Sequence, residues 1–129
     1  MRIDLFTLCD GVFNYNGKLT IVGAIDGYHV HSFPARETVN IAMKFVADPA
    51  EAVDEKLFFK IIDPQHNDLP ACVICDIKLE PINEISHLSL AATIQGIEFK
   101  QEGEHQLCVY LGRNKLSSFS FYVKLRRLS

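Results

Sequence analysis

Histidines and carboxylates at short spacing are the residues of this chain that could carry metal or acid–base chemistry. His29 and His31 lie two positions apart. On a β-strand, that spacing places both imidazoles on one face, close enough to hold one metal ion or one anionic group. His66 and Asp68 lie together in a polar segment that could hold calcium or act as an acid–base pair. These two pairs define one hypothesis, a small hydrolase or metal-dependent enzyme.

The surroundings of both pairs favour a simpler interpretation. The spacing of His29 and His31 predicts no third metal ligand, and the segment 63–68 lacks the D-x-D-x-D-G pattern of a calcium loop. Its residue types are ordinary turn formers. The sequence contains no G-x-S-x-G motif, no P-loop and no G-x-G-x-x-G. We therefore predict no catalytic residue, no metal site and no cofactor, and favour a protein that is not an enzyme.

Two of the four cysteines, Cys72 and Cys75, form a C-x-x-C motif of the kind that zinc and redox sites use. The motif lies in a segment that alternates like a β-strand, where positions three apart point to opposite faces. We interpret both as structural thiols, with Cys75 in the core and Cys72 on the other face.

Aromatic and cationic side chains near the first hairpin suggest a second kind of site. Stacking and cation–π contacts from such side chains could bind a sugar or a peptide. The alternative is that Phe13 and Phe33 in the same region cap an open end of the fold. The candidate ligand-binding residues are Tyr15, Tyr28, His29, His31 and Arg36.

Length and charge limit the classes of partner. A chain of 129 residues is expected to form one domain over residues 1–129. A net charge of -3 disfavours nucleic acid and anionic membranes, which require clustered positive charge. No signal peptide is visible, and every apolar run is shorter than the roughly 18 residues that a membrane span needs. We therefore expect a cytoplasmic protein.

Apolar residues alternate with period two along most of the chain, which predicts an all-β fold. About eight to nine short strands separated by turn residues are typical of an antiparallel two-sheet β-sandwich, immunoglobulin-like or of Greek-key type. Asn16-Gly17 predicts a type I′ hairpin. Gly96, where the alternation changes parity, predicts a β-bulge. A short helical turn is expected at 48–51, and the predicted core includes Phe45, Phe59 and Phe121.

The N-terminal pattern Leu5-Phe6-Thr7-Leu8-Cys9-Asp10-Gly11, followed by Asn16 to Asp26, resembles the opening of a family of small, uncharacterised bacterial β-proteins. That family is a domain of unknown function. The resemblance covers about the first fifth of the chain and implies a sandwich fold. It implies no activity, ligand or functional residue.

Two predicted strands carry apolar residues on both faces. In the strand 56–62, Phe58 and Ile62 lie opposite the core-facing residues, and the strand 19–25 has a similar excess. If these strands were neighbours, they would form an apolar patch that a soluble monomer rarely exposes. A two-fold homodimer would bury it, or another part of the chain would fold over it. The favoured function is a non-enzymatic binding or assembly module that acts through sheet faces, edges or loops.

Overall fold

The computed structural model of the chain describes residues 2–49, 53–69, 74–79 and 84–126. Strands dominate this part of the chain because apolar and polar residues alternate along it, so each strand has one face for a core. The strands are β1 (Arg2–Tyr15), β2 (Lys18–Ile25), β3 (Gly27–Val30), β4 (Ala35–Ala47), β5 (Val53–Ile62), β6 (Asp68–Leu69), β7 (Ile74–Leu79), β8 (Ser86–Phe99), β9 (Gly103–Leu111) and β10 (Asn114–Leu125).

The ten described strands form two sheets. One has four strands in the order β2-β1-β4-β8, and the other has six, in the order β3-β10-β9-β5-β6 with β7 also paired to β5. Every pair is antiparallel except β3 and β10, which run parallel. The expected antiparallel two-sheet sandwich is therefore confirmed. The count of ten exceeds the expected eight to nine, and two of the strands, β3 and β6, have only four and two residues.

The core lies between the inner faces of the two sheets and is rich in aromatic rings. Phe45, Phe59 and Phe121 are at most 1% exposed, as the alternation predicts. Contacts between rings join the sheets at two places. Phe6 of β1 packs against Phe59 of β5 at 6.4 Å between ring centroids, and Phe99 of β8 packs against Phe121 of β10 at 5.9 Å. The sheets are thus joined by ring contacts from both inner faces.

Local backbone geometry follows the sequence at two turns. Asn16 and Gly17 have φ values of 50° and 75°, as a type I′ hairpin turn requires. Gly96 has a φ of 71° and lies where the pairing of β4 with β8 shifts by one residue, which is a β-bulge. The helical turn expected at 48–51 falls partly on residues 50 and 51, which lie outside the described residues. No helix in the described part of the chain has the length and apolarity needed to cross a bilayer.

One histidine is part of the core. His105 is 1% exposed and lies between the rings of Phe99 and Phe121, at centroid distances of 5.1 and 5.5 Å. Its Nδ1 lies 3.0 Å from the carbonyl oxygen of Gly103, which can only accept, so Nδ1 carries the proton. Its Nε2 is buried without a hydrogen-bond partner. Burial lowers the pKa of His105 from its ordinary value of 6.5, so the folded protein holds this imidazole neutral.

We predict that acid destabilises the protein through His105. The unfolded chain takes up this proton near pH 6.5 and the folded chain only at lower pH, so the free energy of unfolding falls as pH drops below about 6.5. One proton contributes a slope of at most about 1.4 kcal/mol per pH unit. Melting temperatures measured between pH 7.5 and about 5 should fall further on acidification in the wild type than in His105→Phe. An equal acid loss in both proteins, with His87→Gln as the exposed control, would contradict the prediction.

We predict that Phe121→Ala costs about 3 to 5 kcal/mol, because it removes a fully buried ring and leaves a cavity between the sheets. That is a large share of the roughly 5 to 15 kcal/mol that stabilises a small domain. The neighbouring Tyr122 points to the outer face and is 49% exposed, so Tyr122→Ala is the matched control and should change stability far less. Urea denaturation measures both. Equal losses in the two variants would place Phe121 outside the core.

Candidate functional site

The predicted ligand-binding residues lie on both sheets. Tyr28 packs inward against Phe99 and Phe121, at ring distances of 5.7 and 5.9 Å. Its hydroxyl is buried without a hydrogen-bond partner. Burial raises the pKa of Tyr28 far above its ordinary value, and the nearby carboxylate of Glu37 raises it further. Tyr28 is therefore a neutral residue whose partly buried ring packs against the core.

The other four candidates are exposed. Tyr15 is 73% exposed at the end of β1, and Arg36 lies on β4 with a guanidinium nitrogen 3.8 Å from a carboxylate oxygen of Glu98. His29 lies on β3, and His31 follows the end of that strand. Tyr15 and Arg36 thus belong to the four-stranded sheet, and Tyr28 and His29 to the six-stranded one. At these positions the residues do not form the predicted single platform of aromatic and cationic side chains.

The proposed metal or acid–base pairs also lack the surroundings of a reactive site. Within the described ranges, no group of three or more His, Cys, Asp and Glu side chains is placed to hold a metal ion. In the segment 63–68, the Asp63 carboxylate accepts hydrogen bonds from the backbone N–H groups of Gln65 and Asn67, both at 2.9 Å. The Asp68 carboxylate binds Lys60 at 2.7 Å. These polar groups build a turn and anchor it to β5.

A shallow depression of about 320 Å³ lies where β3 joins β10. A Cβ at Gly27 would strike the carbonyl oxygen of Tyr122, so glycine allows β3 to approach β10 here. Lys124 lies 5.6 Å from the centroid of the Tyr122 ring. Asp26 and His29 also line the depression, which therefore mixes both signs of charge. The sequence could not indicate Tyr122 and Lys124, because only the parallel pairing of β3 with β10 brings them beside His29.

The outer face of the six-stranded sheet carries a group of closely packed side chains that we call the stacked face. Phe58 and Tyr110 are cross-strand partners whose rings stack at 4.9 Å with an interplanar angle of 8°. Cys108 beside them is fully buried, although it points away from the core. The stacked face comprises Phe58, Ile62, Gln106, Cys108 and Tyr110.

The stacked face has little net charge. Lys60 lies among these residues as the cross-strand partner of Cys108. The hydrogen bond from Lys60 to the Asp68 carboxylate raises the pKa of the lysine, and the two groups form an ion pair. On the other side, β10 places Ser118 opposite Cys108 and Ser120 opposite Gln106. Aromatic, aliphatic and uncharged polar groups therefore make up most of this face.

The first hairpin leaves the plane of the four-stranded sheet, and we call its residues 11–22 the hairpin arm. Gly23 has a φ of 63°, a left-handed conformation that favours glycine. A Cβ at Gly23 would strike the Asp10 carboxylate. Beyond this point β1 no longer pairs with β4, whereas its pairing with β2 continues to the turn. Both strands of the hairpin therefore bend at Asp10 and Gly23.

The hairpin arm folds against β8, although β1 and β4 separate β2 from β8 in the sheet. The Asn14 side chain donates a hydrogen bond to the carbonyl oxygen of Ser89 at 3.1 Å. On the same face of the arm, Val12, Leu19 and Ile21 are half-buried. The arm therefore turns one apolar face toward the body of the protein.

The opposite face of the arm is apolar and open to solvent, and we call it the arm face. Phe13, Tyr15 and Val22 are 62%, 73% and 53% exposed. Cross-strand pairing places Val22 opposite Gly11, which shares a side of β1 with Phe13 and Tyr15. A Cβ at Gly11 would lie 3.8 Å from Val22 and 4.0 Å from Phe13, so the three positions are contiguous.

The strands 19–25 and 56–62 are not neighbours, so the condition under which they would share one apolar patch is not met. They are β2 and β5, which belong to different sheets. The hairpin arm explains why β2 is apolar on both faces. Because the arm folds against β8, Leu19 and Ile21 of β2 face the body of the protein. On β5, the apolar residues opposite the core face are Phe58 and Ile62, and both are half-buried.

The cysteines of the described segments are structural in position. Cys9 and Cys108 are buried free thiols, and burial raises the pKa of Cys9. Cys75 is a free thiol that is half-buried and packs against the core, so it is less enclosed than expected. Cys72 lies outside the described residues.

Two sheets packed face to face around one core define a β-sandwich. The chain belongs to a family of unknown function, DUF6941, whose model matches residues 4–124. This match confirms the resemblance to an uncharacterised domain family. A comparison with curated proteins finds no match.

Two solved structures resemble this chain in fold. The alkylpurine DNA glycosylase AlkC of Pseudomonas fluorescens, solved with DNA containing an abasic-site analogue, is 11% identical with a TM-score of 0.56. The likeness covers 95% of this chain and 30% of the glycosylase, so the chain spans less than a third of that protein. An immunoglobulin-like protein of Pseudomonas aeruginosa is 17% identical with a TM-score of 0.40, over 95% of both chains.

We predict that Gly23→Ala destabilises the protein more than Gly96→Ala. Both positions have positive φ, so both variants incur strain of about 1 to 3 kcal/mol. Only at Gly23 would the new methyl group also strike the Asp10 carboxylate, whereas the space beside Gly96 is open. Urea denaturation should show a gap of at least about 1 kcal/mol between the variants. Adding Asp10→Ala to Gly23→Ala should narrow the gap, and equal losses in both single variants would contradict this account of the bend.

Proposed function

We propose that the protein is a non-enzymatic association module that forms a two-fold homodimer through the stacked face. The observation that carries the proposal is the stack of Phe58 on Tyr110 in the middle of an outer sheet face. The outer face of a sheet in a soluble monomer ordinarily carries residues that favour water. Here the described chain leaves an ordered aromatic pair there, beside half-buried Ile62.

A second copy of the chain suits this face for two reasons. The chain carries a net charge of -3, so two copies repel each other unless their contact surfaces are locally neutral. The ion pair of Lys60 with Asp68 supplies that neutrality. The stacked face also extends over the adjacent strands β5 and β9, and the serines of β10 continue it. A broad, flat, self-complementary surface is what an isologous dimer contact requires.

The competing hypothesis is a hydrolase or metal-dependent enzyme that uses His29 with His31, or His66 with Asp68. It has less support, because the Asp63 turn and the Lys60 ion pair already account for the second group of residues. His29 faces solvent on an edge strand, beside a depression that is open and mixed in charge. In our proposal residues 1–129 form one domain, which acts in the bacterial cytoplasm without a cofactor.

DNA is not a proposed ligand. The DNA in the AlkC structure belongs to that glycosylase, with which this chain shares only its fold. Phosphate backbones are bound by clustered lysine and arginine. The net charge of -3 and the nearly neutral stacked face favour a protein partner.

We predict that the native protein has twice the 14.6 kDa mass of the chain at micromolar concentration, and that Phe58→Glu reduces it to the mass of one chain. The new carboxylate would be brought into an apolar contact, and its desolvation costs several kcal/mol. Multi-angle light scattering after size exclusion measures both proteins. Far-UV circular dichroism should show that the variant keeps its sheet content.

The matched control is Phe13→Glu, which places the same charge on the exposed arm face and should leave the dimer intact. A wild-type protein with the mass of one chain removes the proposal. So does a Phe58→Glu variant that keeps the mass of two chains. A stoichiometric metal in the purified protein would instead favour the enzyme hypothesis.

A further inference from the structure

The arm face differs from the stacked face in both exposure and size. Its three large apolar side chains, Phe13, Tyr15 and Val22, are each more than half exposed, whereas Phe58 and Ile62 are half-buried. Lys18 and Thr20 are the exposed polar residues beside them on β2. A contiguous apolar surface of this kind on a soluble chain marks a site of interaction.

The size of the arm face decides what can occupy it. A stable contact between folded partners uses roughly 20 to 30 residues on each side. The arm face offers three apolar side chains and two polar ones on a single hairpin. It is therefore too small to hold a second copy of the chain or another folded domain by itself, and it suits a short segment.

The backbone beside the arm face indicates the conformation of that segment. β2 is the end strand of the four-stranded sheet and pairs with β1 alone in the described part of the chain. Along its other edge, β2 pairs with no described strand, so the backbone groups there could receive an incoming one. An added strand forms main-chain hydrogen bonds, and its alternate side chains then contact the face of the sheet.

We propose that the hairpin arm binds an extended segment of another protein, which adds to the free edge of β2 and lays alternate apolar side chains on the arm face. Gly11 leaves a notch between Val22 and Phe13 that a small apolar side chain can enter. Lys18, at the tip of the arm, favours an acidic residue at the corresponding end of the segment. This binding is separate from dimerisation and uses the other sheet.

The test uses a phage-displayed library of random twelve-residue peptides selected on the intact protein. The recovered peptides should carry apolar residues at alternate positions. Synthetic copies should bind the wild type, and Tyr15→Ala should weaken binding by about tenfold or more, because it removes an aromatic contact. Tyr122→Ala is the matched control, since Tyr122 is an exposed tyrosine on the other sheet, and it should leave affinity unchanged.

Hydrogen exchange locates the bound peptide. Added peptide should slow exchange at alternate backbone amides of Lys18–Ile25, whereas binding without that protection would overturn strand addition. Failure to recover peptides, or equal affinity for the wild type and Tyr15→Ala, would overturn the arm as a peptide site. If Tyr15→Ala instead halves the native mass, the occupant is a second copy and this proposal is wrong. Because Phe58→Glu leaves the arm intact, its monomer should still bind the selected peptides.

Discussion

Contact between aromatic rings of the two inner faces is the interaction on which the rest of the structure depends. Phe6 of the four-stranded sheet meets both Phe59 and Phe119 of the six-stranded sheet, and Phe99 meets Phe121. A ring buried between two sheets contributes several times the free energy of an exposed one. These rings therefore determine which face of each strand is turned inward, and they leave the composition of the outer faces free to vary.

The inward faces could be predicted from the sequence because side-chain direction in a strand is a local property. Successive residues point to opposite faces, so the positions of Phe45 and Phe121 in an alternating run were enough to place them in the core. The Asn16-Gly17 turn and the bulge at Gly96 were predictable for a similar reason. Positive φ is a property of single residues, and few residue types adopt it readily.

The assignment of strands to sheets could not be predicted, because it depends on contacts between residues far apart in the chain. β2 and β3 are separated by a single residue, yet they lie in different sheets, and β3 runs parallel to the last strand. The surroundings of the candidate site residues could not be predicted from the sequence for the same reason. Tyr28 was expected to help form a surface platform, but the pairing of β3 with β10 directs its ring onto Phe99 and Phe121. A residue type shows what a side chain can do, and the topology decides what it meets.

The arm face and the stacked face lie on different sheets and arise in different ways. In the four-stranded sheet, the chain bends at Asp10 and Gly23 and lays its own hairpin against β8, where Asn14 bonds to Ser89. That hairpin is apolar on both sides, so covering one surface exposes another. On the six-stranded sheet, Phe58 and Tyr110 stack on the outer face and are half-buried there. In our proposals each of these apolar faces binds its own partner, and because the faces lie on different sheets the two partners would not compete.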